Sequence, residues 1–133
     1  MQRLRVEAQC QRLDQVLDFV NAQLEPWDCP MKIMTLIGVC VEEIFVNIAH
    51  YAYPQGGGWA EIYCQAGPGR VEIRLEDEGV AFDPLSRTDP DVTLDAQARQ
   101  IGGLGIFMVK RSMDQVSYCR QAGRNKLTMV KRW

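Results

Sequence analysis

Apolar and polar residues recur with two different periods along this chain, and each change of period marks an element. Residues 2–8 (QRLRVEA) alternate, with Leu4, Val6 and Ala8 on one side and Arg3, Arg5 and Glu7 on the other. That is the pattern of a half-buried strand. From about Cys10 to Leu24 the apolar positions Leu13, Val16, Leu17, Val20 and Leu24 recur at helical spacing,. Pro26 and Pro30 bracket a loop holding Trp27 and Asp28,. Met31 to Tyr53 then predicts one long helix, in which Ile33, Ile37, Cys40, Ile44 and Ile48 form a stripe,. Pro54 and three glycines end it,. Residues 59–66 and 70–77 read as a strand hairpin around Gly67-Pro68-Gly69,. Residues 85–101 carry weak periodicity, and a loop of that length is often functional,. Gly102-Gly103-Leu104-Gly105 opens a helical pattern from Ile106 to about Met113. A second hairpin, 115–121 with 125–132, closes the chain around Ala122-Gly123-Arg124. The expected architecture is an α/β (α+β) two-layer sandwich: a mixed, mostly antiparallel sheet with helices packed on one face.

Two carboxylates interrupt these patterns. Glu43 and Asn47 are four residues apart, so they stack on one side of the long helix beside its apolar stripe,. Glu42 points the other way, toward solvent. A carboxylate placed as Glu43 is either a partly exposed group at the edge of an amphipathic face or one with a polar partner or ligand. In the strand RVEIRLED, Val71, Ile73 and Leu75 share a face, and the alternation carries Asp77 onto it,. Asp77 then either points into a pocket over the sheet or merely opens a turn with Gly79.

Composition changes this picture little. The 133 residues are 47% apolar and 24% charged, with a net charge of −2, so one globular domain spanning 1–133 is expected. No basic run points to nucleic acid. The most apolar stretch contains Glu42, Glu43 and Asn47, against a membrane span,. The N-terminus lacks the apolar core of a signal peptide, so a cytoplasmic location is expected. The five cysteines match no zinc spacing and read as reduced thiols, mostly small core residues,. His50 is the single histidine, which disfavours a His-rich metal site or a Ser–His–Asp hydrolase; no motif supports a Cys–His pair.

Taken singly, the polar motifs are weak. The glycines at 102–105 follow a polar stretch rather than a strand, unlike a dinucleotide fingerprint, and no Gly-Lys-Ser/Thr of a P-loop follows them,. In order, however, they resemble the GHKL superfamily of gyrase, heat-shock chaperone, histidine kinase and mismatch-repair ATPases. Glu43-x-x-x-Asn47 with Tyr51-Ala-Tyr53 is similar to its N box. Asp77-x-Gly79-x-x-Phe82-Asp83-Pro84 is similar to its adenine box, and Gly102-Gly103-Leu104-Gly105-Ile106 to its second glycine box. The resemblance is nearest to the small bacterial anti-sigma factors that are also serine kinases.

That resemblance implies the Bergerat ATP-binding fold, with ATP and Mg²⁺ as ligands. It implies that Asn47 binds the metal, that Asp77 accepts the adenine amino group and that Gly79 lets the backbone pass close to the base. Phe82 is implied near the adenine, or else in plain core packing. Gly102, Gly103, Leu104, Gly105 and Ile106 would form the phosphate-binding helix start, and residues 85–101 the ATP lid, with Arg87 and Arg99 in it. Glu43 would orient or deprotonate the attacking serine hydroxyl. The implied partners are a STAS-type anti-anti-sigma protein, a sigma factor and possibly a second copy of the chain, with no direct nucleic acid or membrane contact. Three other readings stay open: an ATP-dependent switch without kinase activity, the ATP-binding half of a histidine kinase, and a non-nucleotide interaction protein. His50 falls one residue short of the family's frequent histidine and reads as a helix-surface residue. The last strand lacks the family's Gly-Thr-Thr, which leaves Asn125, Lys126 and Thr128 as candidates to complete the adenine site. Glu61, Glu72, Arg74 and Glu76 on the other sheet face read as solvated, or as a contact surface.

Overall fold

The computed structural model describes residues 1–86 and 103–133. Most of the expected lid, with Arg87 and Arg99, lies outside the described residues, as does Gly102. Five strands form one sheet: β1 (Gln2–Glu7), β2 (Trp59–Gly67), β3 (Arg70–Asp77), β4 (Gln115–Gln121) and β5 (Arg124–Arg132). Their order is β1-β2-β3-β5-β4, and all four pairings are antiparallel. Both expected hairpins form. The chain after β3 returns through helix α3 (Gly103–Ser112) to the far edge as β4, and β5 then fills the place beside β3.

Register turns the alternation of single strands into rows that run across the sheet. Leu4, Ile62, Leu75, Leu127 and Tyr118 form one such row, and Val6, Ala60, Asp77, Asn125 and Arg120 the next. The first is mainly apolar. The second begins apolar and ends in three adjacent polar side chains, which places a polar cluster at one end of the sheet.

Helices α1 (Leu13–Leu24) and α2 (Met31–Asn47) cover the face that carries Val71, Ile73 and Leu75. The stripe expected on α2 is buried at Ile37, Cys40, Ile44 and Ile48, and Val41 and Phe45 are buried too. The buried face is wider than the stripe because α2 packs against α1 on one flank and α3 on the other as well as over the sheet. Glu42, expected in solvent, is half-buried for the same reason. Met31–Ala52 is apolar and long enough to cross a membrane by length and composition alone, but its apolar face is the core of this fold.

The long helix does not keep one geometry to its end. After Asn47 it widens into a π-turn, Ile48–Ala52, a feature often found at functional sites. Tyr53 then leaves the helix at φ −125°, ψ 82°, as a residue before proline is driven to do. The Tyr53 hydroxyl donates to the Trp59 carbonyl at 2.6 Å and accepts the Glu78 N–H at 2.8 Å. The end of the helix is thereby tied to the start of β2 and to the residue that follows β3.

The outer face of the sheet corrects the solvated reading. Glu61 and Glu76 are each only 2% exposed. Arg5 and Arg124 reach Glu61 at 2.9 and 3.1 Å, and Arg74 and Arg124 reach Glu76 at 2.6 and 3.3 Å. Two guanidinium groups lie over Trp59, Arg5 at 4.0 Å and Arg124 at 4.8 Å from its ring centre. Arginine stems and aromatic rings thus cover the carboxylates that the strand pattern left facing water.

Candidate functional site

At the polar end of the sheet, α2, its π-turn, β3, β5, β4 and the segment after β3 enclose a cleft of about 130 Å³. Ile44, Ile48, Ala52, Leu75, Val80 and Leu127 supply an apolar lining, joined by Asn47, Tyr51, Phe82, Tyr118, Asp77 and Asn125. Of the two placements open to Asp77 both occur: it lines the pocket over the sheet and closes a turn with Gly79, and it is 4% exposed.

The surroundings of Asp77 explain how a carboxylate is tolerated there. Its Oδ1 accepts the Gly79 N–H at 2.8 Å and the Asn125 side-chain amide at 2.9 Å. Its Oδ2 has no protein partner among the described residues, and no fully enclosed polar side-chain atom there lacks one. Oδ2 is therefore open to the cleft. Burial pushes the Asp77 pKa above the ordinary aspartate value; the Asn125 and Gly79 hydrogen bonds and the Arg120 charge oppose that rise,.

Asn125 is the last-strand residue that enters this site. Its amide also donates to the Val80 carbonyl at 2.9 Å. Its Oδ1 accepts from the Tyr118 hydroxyl at 2.5 Å, Arg120 Nη1 at 3.1 Å and the Phe82 N–H at 3.3 Å. Lys126 and Thr128 pair with Glu76 and Arg74 and so belong to the outer face. Strand alternation alone carried this signal, because Asn125, Leu127 and Met129 share a face. Tyr118 and Arg120 were not singled out from the sequence. The same alternation on β4 puts them on the cleft side, but nothing local says that they reach Asp77's partner.

The first turn of α3 packs against α2 at Glu43. An added Cβ on Gly105 would collide with the Glu43 carboxylate, so the second glycine segment and the N-box glutamate meet directly. Ile106 is in the core at 5% exposure. Leu104 lies in the first turn of α3. Gly79 has a reason of its own to be glycine. A Cβ there would strike the Ala52 backbone carbonyl, and the neighbouring Val80 N–H donates to that carbonyl at 2.9 Å. The tight turn after β3 is thereby pressed onto the end of α2.

His50 sits in the π-turn on the exposed side, with its Nε2 3.3 Å from Cys10 Sγ. The sequence held no motif for that pair, which joins the turn before α1 to the π-turn after α2. Three of the five cysteines are buried, Cys29, Cys40 and Cys64, and all five are free thiols. Burial raises the Cys64 thiol to a pKa of about 12.

Comparison with known proteins bears on the family and the fold. The family model described as a histidine kinase-like ATPase domain matches residues 6–131. The chain is 31% identical over 94 residues to the serine/threonine-protein kinase BtrW of Bordetella bronchiseptica, an alignment covering 69% of this chain and 66% of that protein. It is 39% identical over 51 residues to the serine-protein kinase RsbW of Listeria monocytogenes, covering 35% of this chain and 32% of that one. The alignments therefore span between a third and two thirds of these relatives' own length. Among solved structures, the RsbU and RsbW domains of a Mycobacterium tuberculosis protein superpose with a TM-score of 0.64 at 15% identity, over 99% of this chain and 32% of that chain. The histidine kinase domain of the blue-light activated kinase of Erythrobacter litoralis gives 0.56 at 13% identity, over 92% of this chain and 59% of that chain. These two likenesses show the fold, and the family match extends across nearly every element that builds the cleft. The chain belongs to the histidine kinase-like ATPase domain family.

Proposed function

We propose that this chain binds Mg·ATP in the cleft and acts as a serine-protein kinase and anti-sigma factor. In this reading the adenine lies in the apolar pocket and the phosphates extend past Asn47 to the start of α3. The observation that carries the nucleotide reading is Asp77, a buried carboxylate with one oxygen consumed by the protein and the other open to an apolar cleft. Such an oxygen accepts from an exocyclic amine, which adenine offers. Guanine places a carbonyl oxygen at the equivalent ring position, acceptor against acceptor, so GTP is expected to bind more weakly.

Asn47 lines the cleft and offers a neutral side-chain oxygen, the kind of hard donor that Mg²⁺ accepts while phosphate oxygens and waters complete its shell. Bound there, Mg²⁺ would neutralise charge on the phosphates. Glu43 stands one helical turn from Asn47 and against Gly105, where a carboxylate can accept the proton of a serine hydroxyl as its oxygen bonds to the γ-phosphorus and ADP leaves. The names of the kinase relatives support this chemistry. The protein substrate is a STAS-type anti-anti-sigma partner and the sequestered partner a sigma factor. A cytoplasmic location and self-association belong to the same proposal.

Calorimetry with Mg·ATP tests the first step. Binding in the wild type, and its loss in Asp77→Asn, are expected; no binding by the wild type removes the whole reading. Incubation with labelled ATP and a STAS partner tests the second. Glu43→Ala should keep ATP binding and lose transfer, whereas loss of both makes Glu43 a structural residue. Binding without transfer by the wild type would favour an ATP-dependent switch.

A further inference from the structure

The Asn125 amide gives both its donors to the protein, one to Asp77 Oδ1 and one to the Val80 carbonyl. Its oxygen is held by Tyr118, Arg120 and the Phe82 N–H. Asn125 thus has no donor left for a ligand. Its work is internal: it ties the segment 79–82 to the sheet and turns the Asp77 carboxylate. Arg120 makes the matching tie from the edge strand. The same nitrogen, Nη1, donates to the Gly79 carbonyl at 2.8 Å and to Asn125 Oδ1 at 3.1 Å. Segment 79–82 is a wall of the cleft, through Val80, Ala81 and Phe82. Three of its backbone groups, Gly79 O, Val80 O and Phe82 N, are bonded to Arg120 or Asn125.

We propose that Arg120 is a positioning residue for the nucleotide site. From the edge strand it clamps segment 79–82 onto Asn125, so that Asp77 presents one oxygen to the cleft before any ligand arrives. The rationale is geometric. An edge-strand cation bridges a carbonyl of the wall and the side chain that orients the base-recognising carboxylate. Preorganisation of this kind lowers the ordering cost of binding. The charge of Arg120 also favours the ionised form of Asp77 against burial. Tyr118 on β4 and Tyr53 at the end of the π-turn also feel the Asp77 charge, and these tyrosines in turn feel Asp83 and Glu78 in the segment after β3. The tyrosines are neutral at physiological pH and Glu78 is paired with Arg124 at 3.7 Å, so among the described residues Arg120 is the cation that acts on Asp77.

The binding arm of the test rests on the nucleotide reading; the second arm does not. Four proteins are compared: wild type, Arg120→Gln, Arg120→Lys and Lys126→Gln. The last removes a charge from the same hairpin on the opposite face of the sheet. Arg120→Gln should weaken Mg·ATP by about tenfold, the low end of what a hydrogen bond from a charged group is worth, because Arg120 is exposed,. It should also raise the pH at which the Asp77 carboxyl carbon titrates by NMR without nucleotide. Arg120→Lys should recover part of both, and Lys126→Gln should change neither. Unaltered affinity and titration in Arg120→Gln would overturn the proposal, as would equal shifts in Lys126→Gln, which would reduce the effect to net charge. A wild type that binds no nucleotide would remove the binding arm, while the titration would still decide whether Arg120 controls Asp77.

Discussion

At the scale of single residues, Asp77 carries opposite consequences for stability and for binding. Its pKa is raised in the folded protein, chiefly by burial. The folded state therefore holds this proton more tightly than the unfolded chain, and the ionised form costs stability. As the pH falls through the raised value, the Asp77 contribution to stability should increase while Mg·ATP affinity falls. Asp77→Asn should accordingly melt no lower than the wild type without nucleotide, yet fail to bind ATP. Paired melting and calorimetry between pH 4 and 8 check both signs. Two glycines make a second contrast. Gly105 faces the end of the flexible Glu43 side chain, whereas Gly79 faces the Ala52 backbone. Gly105→Ala should fold normally, displace the Glu43 carboxylate and lower phosphoryl transfer more than ATP affinity. Gly79→Ala cannot be relieved by a rotamer change and should cost about 1–3 kcal/mol of stability, read from urea unfolding.

At the scale of elements, the decisive one is α2 with its widened end. One straight 3.6-residue period predicts a helix to Tyr53, and apart from the π-turn the segment follows it. That turn brings Tyr51 and Ala52 to the cleft and lets Tyr53 reach across to β2 and β3. Tyr53→Phe keeps the ring and removes both hydroxyl hydrogen bonds. It should lower stability by about 1–2 kcal/mol and loosen the turn after Asp77, seen as faster amide exchange at Glu78 and Gly79. The periodic signal says where an apolar face lies. It does not register one extra residue in the last turn, because the helix ends there and no following turn shows the shift.

At the scale of the whole molecule, the two faces of the sheet are held by different physics. One is a hydrocarbon core under three helices; the other is a layer of arginines, carboxylates and aromatic rings. Burial raises the Glu61 pKa, but the Arg5 hydrogen bond and the charges of Arg5, Arg3 and Arg124 outweigh it, so the net shift is downward. Its stabilisation is therefore present at neutral pH and lost as the pH falls through the folded value, below the ordinary 4.5,. Glu61→Gln should cost about 1–3 kcal/mol at pH 7, less than a fully buried pair because Arg3 and Arg5 are more than half exposed,. It should cost less as the pH falls below the ordinary 4.5, and urea midpoints at pH 7 and pH 3 measure the difference. The elements, both hairpins, the face of Asp77 and the shared side of Glu43 and Asn47 are legible in the chain's periodicity, because it records the direction in which a side chain leaves the backbone. It also held the face of Asn125. What those side chains meet was decided only by the tertiary structure. Placing β5 between β3 and β4 sets Asn125 opposite Asp77, brings Arg120 onto the cleft wall and covers Glu61 and Glu76 with arginines. Strand order and helix docking are choices between segments far apart in the chain, and no local period encodes them.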